Sequence, residues 1–159
     1  MLKYLWLSGL VVVLDQVSKW LMVSWLSLYE TVAVIPYFNL TMAHNSGAAF
    51  SFLAGAGGWQ RWFFVGLALV ISIALFIWLK KLSTQAKLEA ISISMILGGA
   101  IGNVIDRLYF GYVIDFLDVY VGSYHWPAFN IADSAIVVGA ALLIIDSFRA
   151  EPNQDQGQV

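Results

Sequence analysis

Apolar residues gather along this chain into four long runs: Tyr4 to Trp25, Arg61 to Leu79, Leu88 to Ile105 and Phe129 to Phe148. Each is close to the ~20 residues that a helix needs to cross a hydrocarbon core. Only the second is free of unusual polar residues. The third is cut by Gly98, Gly99 and Gly102, which a membrane helix tolerates and which let a neighbouring backbone come close. The first follows Lys3 as a secretion signal would, yet it extends to about Leu28, past the ~7–15 apolar residues of such signals, and it carries Asp15 and Lys19. It reads as a retained first helix. Between the runs, Thr31 to Thr41 and Tyr112 to Val121 are rich in β-branched and aromatic residues and predict short strands. Ala54 to Gly58 predicts a turn, and Glu151 to Val159 a disordered polar tail after a single domain over 1–150.

Composition supports a membrane as the main solvent. The apolar fraction is 60% and the charged fraction 11%, against roughly 45–50% and about 25% in soluble domains. A net charge of -2 with scattered basic residues argues against nucleic acid. With no cysteine, disulfides and thiolate metal sites are excluded. Basic residues also predict orientation, because cytoplasmic ends and loops are enriched in Lys and Arg. Lys3, Lys80, Lys81, Lys87 and Arg149 fall on one side, against Arg61 and Arg107 on the other. Both termini are therefore expected in the cytoplasm. Trp20, Trp25, Tyr37, Trp59, Trp62, Tyr124 and Trp126 then mark an aromatic belt at the outer interface.

Ionisable residues inside a membrane are costly and by default functional. At ~1.5 Å of rise per residue, Asp15, Lys19, Asn103, Asp106, Arg107, Asn130 and Asp133 all fall in the outer leaflet. Depth alone predicts one polar cluster fed by three helices and two outer loops. Each member also has a plain structural reading. Asp15 and Lys19, four apart, can neutralise each other. Asn130 and Asp133 match a helix cap, Asp106 and Arg107 match interfacial anchors, and Asn45 with Gly47 matches a turn. Asp118 reads as a solvated loop residue. His44 and His125 lack metal-site spacing, and no serine-hydrolase elbow is present. Two carboxylates held together retain one proton near neutrality, so one can activate water while the other polarises a carbonyl. Asp15, Asp106, Asp115, Asp118 and Asp133 are all candidates for such a pair. Asp133, in a helix end, and Asp115, between Ile114 and Phe116, stand first.

Five blocks in order, Asp15-Gln-Val-Ser-Lys19, Asn45-Ser-Gly-Ala-Ala-Phe-Ser51, Gly98-Gly-Ala-Ile-Gly-Asn-Val-Ile-Asp-Arg107, Val113-Ile-Asp-Phe116 and Phe129-Asn-Ile-Ala-Asp-Ser134, resemble the lipoprotein signal peptidase (signal peptidase II) family. The resemblance covers nearly the whole chain apart from the tail. It implies an all-α integral membrane protein with four transmembrane helices, both termini cytoplasmic, and a small β-structured cradle and short helix on the outer, periplasmic face. It implies an aspartic endopeptidase of the bacterial inner membrane that cleaves diacylglyceryl-modified prolipoproteins just before the lipidated cysteine. By the same resemblance Asp115 and Asp133 are catalytic. Asn45, Gly47, Asn103, Arg107 and Asn130 line the site, and Asp15 and Lys19 support it. The resemblance implies no cofactor or metal. Membrane lipid and cyclic peptide inhibitors of the globomycin type are the further expected partners, and a monomer the expected state. A proton-coupled transporter is the rival from another class, but it would set a carboxylate near the midplane. A non-catalytic assembly subunit leaves the polar convergence unexplained.

Overall fold

Each apolar run forms a helix in the computed structural model, which describes residues 1–47 and 57–149. After a 3-10 turn at Leu2–Tyr4, α1 spans Leu5–Trp25, α2 Trp59–Lys81, α3 Lys87–Tyr109 and α4 Ile131–Arg149. All four are long and apolar enough to cross a membrane. α3 runs one turn beyond the predicted end at Ile105, so Asp106 and Arg107 are held on the helix. α4 starts two residues later than predicted, which leaves Asn130 outside it as a cap.

α3 is the central helix, packed against α1, α2 and α4. Its small residues are the reason. A Cβ on Gly102 would meet Asp15 Oδ2 at 2.6 Å, and one on Gly99 would strike the backbone oxygen of Ala132. The predicted close approach of neighbouring backbones is therefore present, and α1 and α4 carry their polar groups directly to α3. The other helices turn apolar faces outward, including Trp6, Val13 and Val17 on α1, Val70 and Ile73 on α2, and Val137 and Ile144 on α4. Exposed apolar area on this scale suits lipid rather than water.

The two predicted strand regions form one antiparallel sheet in the order β1-β2-β3-β4, with β1 Thr31–Ile35, β2 Phe38–Asn45, β3 Val113–Val121 and β4 Tyr124–His125. β1 and then β2 follow α1, and β3 links α3 to the segment that enters α4. Pairing of β2 with β3 thus gathers the C-terminal ends of α1 and α3 with the N-terminal end of α4. Leu26, Met42 and Ile114 form a buried cluster that seats the sheet on the end of α1. A second cluster, Leu79, Ala90 and Ile93, closes the opposite end of the bundle around the short α2–α3 connection. No short helix accompanies the sheet among the described residues. Residues 48–51 of the Asn45 block, 54–56 of the predicted turn and the tail 151–159 lie outside them.

Candidate active site

The polar residues converge where the sheet meets the helices, and they do so as two linked groups. In the first, Asn130 stands at the N-terminus of α4 in a reciprocal cap. Its Oδ1 accepts from the Asp133 backbone N–H at 2.8 Å, and Asp133 Oδ2 accepts from its backbone N–H at 3.3 Å. The cap leaves the Asn130 amide free to donate, through Nδ2, to Asp115 Oδ1 at 2.7 Å. The other Asp115 oxygen accepts from Asn45 Nδ2 at 3.1 Å, and Asp133 Oδ1 accepts from Asn103 Nδ2 at 2.7 Å. Two carboxylates from different elements, β3 and α4, are thereby held by three asparagines. Burial raises the Asp115 carboxyl from its ordinary 3.8 to about 7, with the Asp133 charge adding to the shift and the Asn45, Asn130 and Lys19 contacts opposing it.

The second group surrounds Lys19. Its ammonium lies 2.8 Å from Asp15 Oδ2 and 2.8 Å from Asp106 Oδ2, and donates to Asn103 Oδ1 at 3.1 Å. The expected Asp15–Lys19 pair is therefore one part of a three-charge cluster that is almost wholly buried. Asp15 Oδ1 also accepts from the Ala132 backbone N–H at 2.9 Å, fastening α1 to the first turn of α4. Asp106 Oδ2 accepts from the Ile114 N–H at 3.1 Å and so fixes the start of β3. Asn103 belongs to both groups. Lys19 holds its oxygen, which leaves its amide nitrogen for Asp133.

A cavity of about 900 Å³ opens onto the first group, with Asn45, Asn103, Arg107, Asp115 and Asp133 at its polar end. Of the five carboxylates that sequence left open, only Asp115 and Asp133 line it among the described residues. Asp15 and Asp106 are committed to Lys19. Asp118, three residues along β3 from Asp115, falls on the other side of the sheet because strand side chains alternate. It is not the solvated loop residue expected: it is buried and accepts from Asn39 Nδ2 at 2.9 Å. Arg107, likewise more than an interfacial anchor, donates to the Gly47 carbonyl at 2.8 Å and lies over the Phe64 ring. Gly47 in turn donates its N–H to Asn45 Oδ1 at 3.0 Å, the turn expected from the sequence.

The chain matches the family model for signal peptidase (SPase) II over residues 7–149. The chain belongs to the signal peptidase II family. It is 58% identical to the lipoprotein signal peptidase of Alteromonas mediterranea over 93% of its own length and 81% of that protein's. To the lipoprotein signal peptidase of Photorhabdus laumondii it is 55% identical, over 92% and 88%. In three dimensions it is similar to a bacterial membrane enzyme solved by the in meso method at 2.3 Å resolution, with a TM-score of 0.86, 33% identity, and coverage of 99% of this chain and 94% of that one.

The cavity also has an apolar part, and this part the sequence did not disclose. Trp126, Pro127, Ala128 and Phe129 form one wall, and Ile136, Val137 and Val138 of α4 another. The α4 wall continues onto the exposed face of that helix, since Val137 is 67% exposed. In sequence these residues are indistinguishable from ordinary membrane-facing positions. Nor does the sequence mark Gln16 as part of the cluster. It donates to Asp106 Oδ1 at 2.8 Å and to Asp15 Oδ2 at 3.2 Å, a bridge that no one-dimensional spacing marks. His44 lies at the cavity edge, stacked on Tyr112 at 3.9 Å, and burial lowers its pKa. Among the described residues no group of three or more His, Asp or Glu side chains is arranged to hold a metal.

Proposed function

We propose that this signal peptidase II removes the signal peptide from diacylglyceryl-modified prolipoproteins, cutting just before the lipidated cysteine, with Asp115 and Asp133 as the catalytic pair. The observation that carries the reading is Asn130, whose side-chain amide donates to Asp115 Oδ1 and whose backbone N–H donates to Asp133 Oδ2, at the polar end of an apolar cavity. A peptide bond entering that end meets two carboxyl groups and a row of amide donors.

The pair holds one proton near neutrality, and burial together with the Asp133 charge raises the Asp115 carboxyl to about 7, so Asp115 is taken as the acid of the pair. Asp133 takes a proton from water as the water oxygen bonds to the scissile carbonyl carbon. Asp115 gives its proton to the carbonyl oxygen, so the tetrahedral intermediate forms without a free oxyanion. Asp133 then passes its proton to the departing nitrogen as the C–N bond breaks. Asp115 recovers its proton from the intermediate's hydroxyl, and both carboxyls return to their starting states. Asn103 and Asn45 hold the carboxylates in orientation throughout, and Arg107 faces the peptide.

The diacylglyceryl group anchors its substrate in the bilayer at ~0.8 kcal/mol per buried methylene. The apolar wall on α4 offers such a substrate a lateral path from lipid to the carboxylates. With both termini cytoplasmic, as the basic residues suggest, the pair lies at the outer face of the inner membrane. Cyclic peptide inhibitors of the globomycin type would occupy the same cavity, in a protein acting as a monomer.

The test is cleavage of a diacylglyceryl-modified prolipoprotein by the purified protein in detergent. Asp115→Asn and Asp133→Asn should each abolish turnover while thermal unfolding stays close to that of the wild type. Turnover at the wild-type rate by either variant would overturn the pair.

A further inference from the structure

The segment Trp126–Phe129 forms a wall of the cavity, yet it has no secondary structure of its own. It is a strap held at its two ends. At the inner end the Phe129 N–H donates to the Leu117 carbonyl at 3.0 Å, and the Phe129 carbonyl accepts from the Phe116 and Leu117 N–H groups at 2.9 and 2.8 Å. These bonds also hold Asn130 in place. At the outer end the backbone offers less: β4 is two residues long, and the Trp126 N–H donates to the Val119 carbonyl at 2.8 Å. A two-residue strand at a sheet edge is a weak fixture.

Side chains reinforce that outer end. His125 Nδ1 lies 2.9 Å from Asp118 Oδ1 and 3.0 Å from Oδ2, and its ring stacks on Tyr120 with centroids 5.1 Å apart. Asp118 is buried and also accepts from Asn39 Nδ2 at 2.9 Å and from Thr41 Oγ1 at 3.4 Å. The carboxylate is thus built into β2 and β3, whereas the histidine, half exposed, stands in β4 immediately before the strap. None of these five residues lines the cavity or takes part in the hydrolysis described above. Burying a carboxylate on the far side of the sheet is costly unless its donors repay it, and the donor that comes from outside β2 and β3 is the one next to Trp126.

We infer that Asp118 and His125 form a clamp that positions the strap, with Trp126 as the wall it sets, and so tunes how tightly the cavity takes substrate. They act through Trp126 and are positioning residues, not catalytic ones. The inference rests on the proposed substrate, so wild-type cleavage of the diacylglyceryl-prolipoprotein is measured first and independently; failure there would remove the substrate reading and not the clamp alone.

The decisive experiment is a set of steady-state measurements on His125→Phe, His125→Asn, Trp126→Ala and the His125→Phe/Trp126→Ala double variant. Phenylalanine keeps the ring on Tyr120 but loses the bond to Asp118. Asparagine keeps a donor where Nδ1 stood. His125→Phe should raise KM about tenfold, the scale of one hydrogen bond to a charged group, with kcat within about twofold. His125→Asn should recover most of that loss. In the double variant the KM effect should not exceed that of Trp126→Ala alone, because the two residues act on one wall. A KM unchanged by His125→Phe, a fall in kcat instead of a rise in KM, or additive effects in the double variant would each overturn the clamp. Because His125 is half exposed, His125→Phe is compatible with folding. Asp118→Ala, which removes both acceptor oxygens, is the second probe from the other partner and should show the same KM rise.

Discussion

Asp115 is the residue whose environment most changes its chemistry. An aspartate in a β-branched, aromatic strand is placed under apolar cover, and a second carboxylate stands nearby. With its folded value raised from 3.8 to about 7, the proposed mechanism, which needs a protonated Asp115, should run below about pH 7 and fail above it. Rate measurements of kcat/KM against pH should show this limb, falling toward about tenfold per unit on the alkaline side. Stability follows the same sign. A carboxyl whose folded pKa is raised contributes stability that is fully present below 3.8 and is lost as pH rises to about 7. Thermal unfolding of the wild type should therefore weaken between those limits, and Asp115→Asn should remove that slope. A parallel slope in the variant would assign the effect to other groups.

At the scale of elements, α3 is held to α1 and α4 by charge and by close approach together. Lys19 faces two carboxylates, so Asp15→Asn leaves it paired with Asp106, whereas Lys19→Met leaves Asp15 and Asp106 buried without their cation. The second change should cost more, on the order of 3–5 kcal/mol, and thermal midpoints in detergent would rank the two; an equal loss would contradict the three-charge cluster. Gly102→Ala places a methyl 2.6 Å from Asp15 Oδ2. It should destabilise by about 1–3 kcal/mol and also slow cleavage, because Asp15 holds the first turn of α4 through Ala132. Unchanged stability in this variant would mean that α1 can shift away from α3 without cost.

At the scale of the molecule, a protein with both termini in the cytoplasm, as proposed, has the sheet end of the bundle outside and the α2–α3 connection inside. The chain contains no cysteine, so single cysteines at Ser123, in the turn before β4, and at Gln85, between α2 and α3, report position directly. In intact cells a membrane-impermeant maleimide should label Ser123→Cys and not Gln85→Cys. The reverse pattern would invert the protein and place the carboxylates on the cytoplasmic side.

Much of this architecture was legible in one dimension because its causes are one-dimensional. Helix length against bilayer thickness, the rarity of charge in apolar runs and the strand character of 31–41 and 112–121 are local properties, and the ordered motif blocks carried the family. Depth along each helix was enough to bring Asp15, Lys19, Asn103, Asp106, Asn130 and Asp133 to one level. It was not enough to sort them. Rotation about a helix axis and the alternating faces of a strand decide which carboxylate meets Lys19 and which meets the cavity, and those follow only once the helices pack and β2 pairs with β3. Asp118 shows the difference most clearly: three residues from Asp115 it has the same composition around it, yet the pleat turns it to the other face, where the β3–β4 turn brings His125 and strand pairing brings the distant Asn39. The cavity walls, too, exist only in the folded molecule, since Val137 and Trp126 acquire their meaning from what stands opposite them.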